Sequence, residues 1–303
     1  MPIPFAVTHR FESYVDLSRL FSVSKPSIGV VHLLPLPTSP RWGGSLKAVI
    51  DRAEQEAAAL AAGGISAIVV ENFCDAPFPK GQADPAVISA MTVIVQRLQG
   101  LVPVPVGLNV LRNDALGAMA IAACVGAEFI RVNVLSGAMA TDQGIIEGCA
   151  HDLLRYRREL GCDVKIFADV LVKHAHPIST DQLAVAVRDA IDRGLADAVI
   201  LSGSATGTPP SIDDLVVARA AAGETPLLVG SGADVDNVAQ LLSIADGVIV
   251  ASSLKRRGRI ELPVDPNRVH QFVEASQLPY QASSPIAEQN GRLNASPLPA
   301  LSS

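Results

Sequence analysis

Short apolar runs and longer mixed segments alternate along this chain in strict order. Each apolar run is three to nine residues, rich in Val, Ile, Leu and Ala, and bounded by Gly, Pro, Asn or Asp, the pattern of a strand buried on both faces. The strands predicted this way are Ile28–Leu33, Ala67–Glu71, Pro105–Val110, Phe129–Val134, Val164–Val172, Ala198–Ser202, Leu227–Val229 and Gly247–Ala251. Helical patterning fills the spaces between them. One helix runs from Ser45, read as its N-cap, to Ala62 and stops at Gly63-Gly64; another follows Asp84-Pro85; a third starts at Asn113 or Asp114. Others cover Ile146–Leu160, Ser179 or Thr180 to Arg193, and Ser211–Ala222, with a short helix from Asp234 and a last one after Asp265-Pro266.

Eight strand–helix units in this order predict a closed (β/α)8 barrel, an α/β fold, in preference to an open doubly wound sheet. No GxGxxG turn favours a dinucleotide fold. The barrel is expected over residues 26–275. Residues 1–25 are expected to form a leader whose Phe11, Val15, Leu17, Leu20 and Phe21 place a short helix against the barrel. Residues 276–303 are rich in Ser, Pro, Ala, Gln and Asn and are expected to be a disordered tail.

Composition fits this picture. Hydrophobic residues are 49% of 303 and aromatics only 4%, which suits parallel strands under helices. The net charge of −6 and the lack of a long basic run argue against nucleic-acid binding. The one basic cluster, Lys255-Arg256-Arg257-Gly258-Arg259, reads as a solvated loop or as an anion or lipid-surface contact. Cys74, Cys124, Cys149 and Cys162 lack zinc-ligand or redox spacing, so free thiols and no bound metal are expected. His174-Ala175-His176, ahead of Pro177, reads as a loop rather than a metal pair. Neither a signal peptide nor an apolar stretch long enough to span a membrane is evident, which leaves peripheral membrane contact.

In such a barrel, chemistry is carried where strands end and loops begin. Those positions are His32, Glu71, Asn72, Asn109, Arg131, Asn133, Asp169, Lys173, His174, Ser202 and Ser231. Alternation puts Lys165, Phe167 and Asp169 on one face of the fifth strand and Arg131 with Asn133 on one face of the fourth. If those faces point inward, Arg131, Lys165 and Asp169 converge. They form either a structural ion pair or a site in which Asp169 serves as base and Arg131 or Lys165 holds an anion. His32 is a candidate acid–base group or a brace for the Pro-rich loop Leu34–Gly44, and Glu71 a candidate catalyst or loop support. The small-residue loops Gly230-Ser231-Gly232-Ala233-Asp234 and Ala251-Ser252-Ser253 follow the seventh and eighth strands, where phosphate is commonly held, and the first also precedes a predicted helix N-terminus. Ser202–Gly207 offers further phosphate contacts or a permissive turn. The catalytic candidates are therefore Asp169, Glu71, His32 and Lys165. The ligand candidates are Asn109, Arg131, Asn133, Ser202, Gly230, Ser231, Gly232 and Ser252.

Several motifs also carry a family resemblance. Ile28-Gly29-Val30-Val31-His32-Leu33-Leu34-Pro35-Leu36-Pro37, Val70-Glu71-Asn72-Phe73, Gly107-Leu108-Asn109-Val110-Leu111-Arg112-Asn113-Asp114, Phe129-Ile130-Arg131-Val132-Asn133-Val134, Ala168-Asp169-Val170 and Gly230-Ser231-Gly232 resemble the BtpA/SgcQ family in content and order, over about Pro26–Ala275. The resemblance implies a barrel. Its cyanobacterial branch implies a peripheral protein on the cytoplasmic side of the thylakoid membrane that supports accumulation of photosystem I reaction-centre proteins, with those subunits as partners. Other members imply nucleosidase-type or phosphosugar-type enzymes acting on a phosphorylated small molecule. A homo-oligomer is expected, and no cofactor is specified.

Overall fold

A computed structural model describes residues 15–178, 180–203 and 207–280. Eight parallel strands close a barrel: β1 (Ser27–His32), β2 (Ala67–Glu71), β3 (Val106–Asn109), β4 (Phe129–Val132), β7 (Lys165–Val170), β9 (Ala198–Leu201), β10 (Leu227–Val229) and β11 (Gly247–Val250). Around the ring the order is β1-β11-β10-β9-β7-β4-β3-β2, so chain order and spatial order agree and β1 pairs both β2 and β11. The helices α2 (Leu46–Ala62), α3 (Pro85–Leu101), α4 (Ala115–Val125), α5 (Ala150–Glu159), α6 (Leu183–Arg188), α7 (Ile212–Ala222), α8 (Val238–Leu242) and α9 (Pro266–Ser276) follow successive strands. The caps are local: Ser45, Asp84, Asp114, Ser211 and Asp265 each accept a backbone N–H of the first helical turn. No described helix is long and apolar enough to cross a membrane.

Strand alternation divides the apolar residues into two layers. Val31, Ile68, Val70, Leu108, Ile130, Ile166, Val199, Val229 and Val248 face the helices. Ile28, Val30, Ala67, Val69, Phe129, Phe167, Ala198, Ile200, Leu228 and Ile249 fill the barrel. The rings of Phe129 and Phe167 stack at 4.9 Å. Gly107 on β3 makes room for them, since a Cβ there would lie 2.5 Å from the Phe129 ring. Below them the short helix α1 (Leu17–Phe21), capped by Asp16, presses Phe21 edge-on against both rings at 5.6 and 6.2 Å. The helix expected in the leader thus closes the lower mouth of the barrel, with Leu17 and Phe21 buried. Phe11 and the rest of residues 1–14 lie outside the described residues, as do residues 281–303 of the expected tail.

Three expected boundaries move. Ile146 does not start a helix. It lies in β6 (Gly144–Glu147), which pairs antiparallel with β5 (Ala138–Thr141), and α5 begins only at Ala150. The hairpin tip Asp142-Gln143 is turned by Gly144 at φ 95°, with the Thr141 hydroxyl donating to the Gly144 carbonyl at 2.7 Å. The fifth barrel strand stops at Val170 instead of Val172 because Leu171 adopts φ 47°. The chain then forms β8 (Ala175–Pro177), which adds to β5 and completes a small three-stranded sheet beside the barrel mouth. His176 therefore sits in that sheet. Helix α6 starts at Leu183, later than expected, and continues as a π-turn over Asp189–Arg193; Ser179 is outside the described residues. Lys255 also leaves its expected place in a solvated cluster: it is buried against Glu56 of α2 at 2.5 Å, while Arg256, Arg257 and Arg259 stay exposed.

Removing the Phe21 ring leaves a hole under Phe129 and Phe167 that the strands cannot collapse to fill. Phe21→Ala should destabilise the chain by about 3–5 kcal/mol, seen as a lower urea midpoint.

Candidate functional site

The period-two pattern that fills the barrel with apolar side chains continues upward into polar ones. One step above Phe129 comes Arg131, above Phe167 comes Asp169, above Val69 comes Glu71, and above Gly107 comes Asn109. All four are buried. Arg131 donates from Nε and Nη2 to the two oxygens of Asp169, both at 2.9 Å, and from Nη1 to Glu71 Oε1 at 3.1 Å. Asn133 Nδ2 donates to Asp169 Oδ2 at 2.8 Å, and Asn109 Nδ2 to Glu71 Oε1 at 3.3 Å. Burial works against the Arg131 charge, but Asp169 and Glu71 outweigh it and hold its pKa above the ordinary value.

Lys165 does not join them. It faces inward as expected, but at the opening end of β7, four residues below Asp169 and beyond the Phe167 ring. At about 3.3 Å per residue that is about 13 Å down the barrel. Its ammonium pairs with Asp163 at 2.8 Å near the surface. Glu71 takes the place that had been expected for Lys165.

Glu71 and Asn72 have separate tasks. Asn72 accepts from the Leu111 backbone at 2.7 Å and donates to Asp75 at 3.0 Å; Asp75 in turn accepts from the Leu36 backbone at 2.7 Å. This ties together the loops after β1, β2 and β3. Glu71 Oε2 instead faces His32 Nε2 at 3.7 Å. The His32 ring stacks on Phe73 at 4.5 Å and leaves Nδ1 buried without a partner. Burial, followed by the charges of Lys255, Lys173 and Arg131, lowers the His32 pKa well below 6.5, so the imidazole is neutral. His32 does not brace the Pro-rich loop by hydrogen bonding; Asp75 does that.

Above the floor lies a cavity of about 730 Å³, open at the C-terminal ends of the strands, a size that suits a small metabolite. His32, Glu71, Asn109, Arg131, Asn133, Gly230, Ser231, Gly232 and Ser252 all line it. Asp169 lies behind Arg131, and the Ser202 hydroxyl is buried without a partner beside Gly230. Gly230 is required by space: a Cβ would meet Ile200 and Ser202 at 2.5 Å. Gly232 is required by both space and conformation, with φ 75° and a Cβ position 2.0 Å from the Pro209 nitrogen. Side chains tie the neighbouring loops together. Ser231 Oγ donates to Thr208 O at 2.9 Å, Asn237 Nδ2 to Gly232 O at 2.9 Å, and Ser253 Oγ to Ala233 O at 2.7 Å. The backbone N–H groups of Ser231, Gly232 and Ala233 donate to no described residue. The expected helix N-terminus is not part of this loop, because α8 starts at Val238 and the Asp234 carboxylate is occupied by the N–H groups of Asp236 and Asn237. Ser204–Thr206 of the loop after β9 lie outside the described residues.

Arg112 and Lys173 face the cavity with no carboxylate within ion-pair distance among the described residues. The loop after β3 carries Arg112 and stands across the ring from the β10 loop. Arg112 Nη2 donates to the Lys173 carbonyl at 2.8 Å. Burial lowers the pKa of both groups; for Lys173 the next cause is the charge of Arg131. Sequence reasoning noted Lys173 only as a strand-end residue and gave Arg112 no role. Its signal was its place three residues after Asn109, in a loop that turns back over the mouth. Asp142 and Gln143, from the hairpin tip, complete the rim. Among the described residues, no group of three or more His, Cys, Asp or Glu is placed to hold a metal ion.

The chain matches the BtpA family over residues 23–278. It is 67% identical over 261 residues to the photosystem I biogenesis protein BtpA of Synechocystis sp., covering 86% of this chain and 91% of that protein. An uncharacterized protein of Thermococcus kodakarensis is 46% identical over 259 residues, 86% of this chain and 98% of that one. Among solved structures, tryptophan synthase of Mycobacterium tuberculosis superposes with a TM-score of 0.54 at 17% identity, covering 88% of this chain and 100% of that chain, a likeness of fold alone. The chain belongs to the BtpA family.

Two predictions test the floor. Asp169→Ala strands the Arg131 charge in the barrel and should cost about 3–5 kcal/mol in denaturant unfolding. In the folded chain His32 refuses a proton that the unfolded chain accepts below pH 6.5. Stability should therefore fall with decreasing pH through that residue by about 1.4 kcal/mol per unit. His32→Gln should flatten the acid limb of the stability curve by that slope below about pH 6.5.

Proposed function

We propose that this BtpA-family barrel supports photosystem I biogenesis and binds a phosphorylated small molecule at its mouth. The carrying observation is the 67% identity to a photosystem I biogenesis protein along 91% of that protein's length. On this reading the barrel promotes accumulation of reaction-centre proteins from the cytoplasmic face of the thylakoid membrane, bound peripherally. The exposed Arg256, Arg257 and Arg259 supply a basic edge for an anionic surface.

The phosphate reading rests on chemistry at the mouth. The N–H groups of Ser231, Gly232 and Ala233, which donate to no described residue, form a concave donor set of the kind that holds phosphate. Arg112, across the ring, offers a guanidinium to the ligand's far end. Between them stand His32, neutral and stacked, and Glu71, with one oxygen not bound to Arg131. That centre favours a second reading, an enzyme acting on a phosphorylated sugar or nucleoside, with Glu71 as base and His32 as proton carrier. The uncharacterized Thermococcus kodakarensis relative spans nearly the same length, so on this second reading the pocket chemistry extends beyond the photosystem I protein. The two readings join if a metabolite held here regulates or feeds photosystem assembly.

Deleting the gene in its photosynthetic host should lower photosystem I content per chlorophyll severalfold, and the intact gene should restore it. Unchanged content across light regimes would remove the first reading. Gly232→Asp forces a side chain into the Thr208–Pro209 backbone and puts a carboxylate beside the loop N–H groups. It should weaken binding of phosphorylated sugars and nucleotides at least tenfold, or about 1.4 kcal/mol by calorimetry; equal binding would remove the phosphate site.

A further inference from the structure

Resting on the phosphate-pocket reading, the geometry points to Lys173 as an imine-forming amine that condenses with a phosphorylated aldehyde or ketone held at the barrel mouth.

The lysines of the chain are Lys25, Lys47, Lys80, Lys165, Lys173 and Lys255. Lys47 and Lys165 pair with carboxylates at the surface, Lys255 pairs with Glu56 in the interior, Lys25 bonds the Leu242 carbonyl, and Lys80 is exposed. Lys173 alone among them lines the cavity, and it has no carboxylate within ion-pair distance among the described residues. The reason is visible in the floor: Asp169 is bound along one edge of Arg131 by two hydrogen bonds, and Glu71 Oε1 accepts from the same guanidinium. Asp169 is thus fully engaged, and the remaining Glu71 oxygen faces His32.

The surroundings press the amine toward its neutral form. Burial and the Arg131 and Arg112 charges lower its pKa, with Glu71 and Asp169 acting in the opposite sense. A half-buried lysine beside another cation is the arrangement that makes an amine nucleophilic at neutral pH. Other titratable groups lining this mouth are Arg41, Cys74, Asp142 and Glu261, together with His32, which is neutral, and His174, whose pKa is itself lowered by burial and by Lys173. Position also fits. Leu171 at φ 47° and His174 at φ 57° turn the chain sharply on either side of Lys173, and Arg112 holds its carbonyl. Its loop follows β7, two strands around the ring from the β10 loop that would hold the phosphate. A ligand anchored there presents its carbon chain toward Lys173.

The step balances without a cofactor. The neutral amine's lone pair forms the N–C bond to the carbonyl carbon, giving a carbinolamine. The C–O bond then breaks and the oxygen leaves as water with the two amine protons. Glu71 and His32 are the groups placed to pass those protons.

The probe is pyridoxal 5′-phosphate, which carries both an aldehyde and a phosphate, with pyridoxine 5′-phosphate as its non-condensing counterpart. The full chain is treated with the aldehyde, reduced with borohydride, digested and mapped by mass spectrometry. Lys173 should be labelled at least tenfold faster than Lys47, with its half-maximal rate at lower pH, and pyridoxine 5′-phosphate should slow that labelling. Lys173→Arg and Lys173→Met should lose the imine absorbance yet still bind pyridoxine 5′-phosphate. Binding of pyridoxine 5′-phosphate with Lys173 labelled no faster than Lys47 would overturn the inference and leave the phosphate pocket standing: Lys173 would then be an ordinary anion contact. No binding of pyridoxine 5′-phosphate would overturn the pocket reading itself. Imine persisting in both variants would assign the reaction to another lysine and overturn the inference as well.

Discussion

The two parallel hydrogen bonds between Arg131 and Asp169 organise the upper half of the barrel. A guanidinium buried this deeply is tolerated only when its charge is met and its donors are directed at acceptors. Asp169 meets the charge and Glu71 takes another edge, and each carboxylate is held by an asparagine from a neighbouring strand. The consequences spread outward from this cluster. Glu71 keeps one oxygen turned to His32, which burial holds neutral. Gly230 must lack a side chain because Ser202 and Ile200 already occupy the space. Lys173 has no carboxylate within ion-pair distance among the described residues, since Asp169 is bound to Arg131 and the remaining Glu71 oxygen faces His32.

The cluster in turn needs a rigid base. Phe129 and Phe167 lie one layer below on the same two strands as Arg131 and Asp169, and their stacked rings form the platform beneath those charges. Gly107 admits the rings and Phe21 seals them from beneath. A glycine, an aromatic pair and a helix from outside the barrel therefore form one mechanical unit beneath the charges. Packing at interior density leaves that unit little freedom to shift, so the polar floor is held in a fixed geometry before any ligand arrives.

The parts legible in sequence are those set by short-range pattern. Apolar runs and caps reveal a strand–helix alternation, and period two assigns Arg131, Asp169, Glu71 and Asn109 to the interior. Errors arose where pattern does not encode height or partner. Lys165 shares the inward face of β7 with Asp169, but alternation alone cannot say that Phe167 stands between them or that Asp163 offers a nearer carboxylate. The hairpin of β5 and β6 was hidden because Ile145 and Ile146 continue smoothly into a helical pattern; the turn signal is Gly144 after Asp142-Gln143, a feature shorter than a helical window. The predicted helix N-terminus at Asp234 failed for a related reason. Asp234 does cap, but it caps a turn ending at Asn237, and the helix waits until Val238.

The contrast between floor and rim bears on whether this pocket is only a relic of the fold. A barrel that had become a pure scaffold would gain nothing from keeping desolvated polar atoms without partners, and each such group costs about 1–3 kcal/mol. His32 Nδ1, Asn133 Oδ1 and the Ser202 hydroxyl are all buried and unpartnered around the mouth. Two cations on the same rim, Arg112 and Lys173, have no carboxylate within ion-pair distance among the described residues. The floor, by contrast, is nearly complete in its own bonding. Structural economy accounts for the floor alone. The unmet groups above it have a physical rationale when a polar, anionic ligand supplies the missing partners.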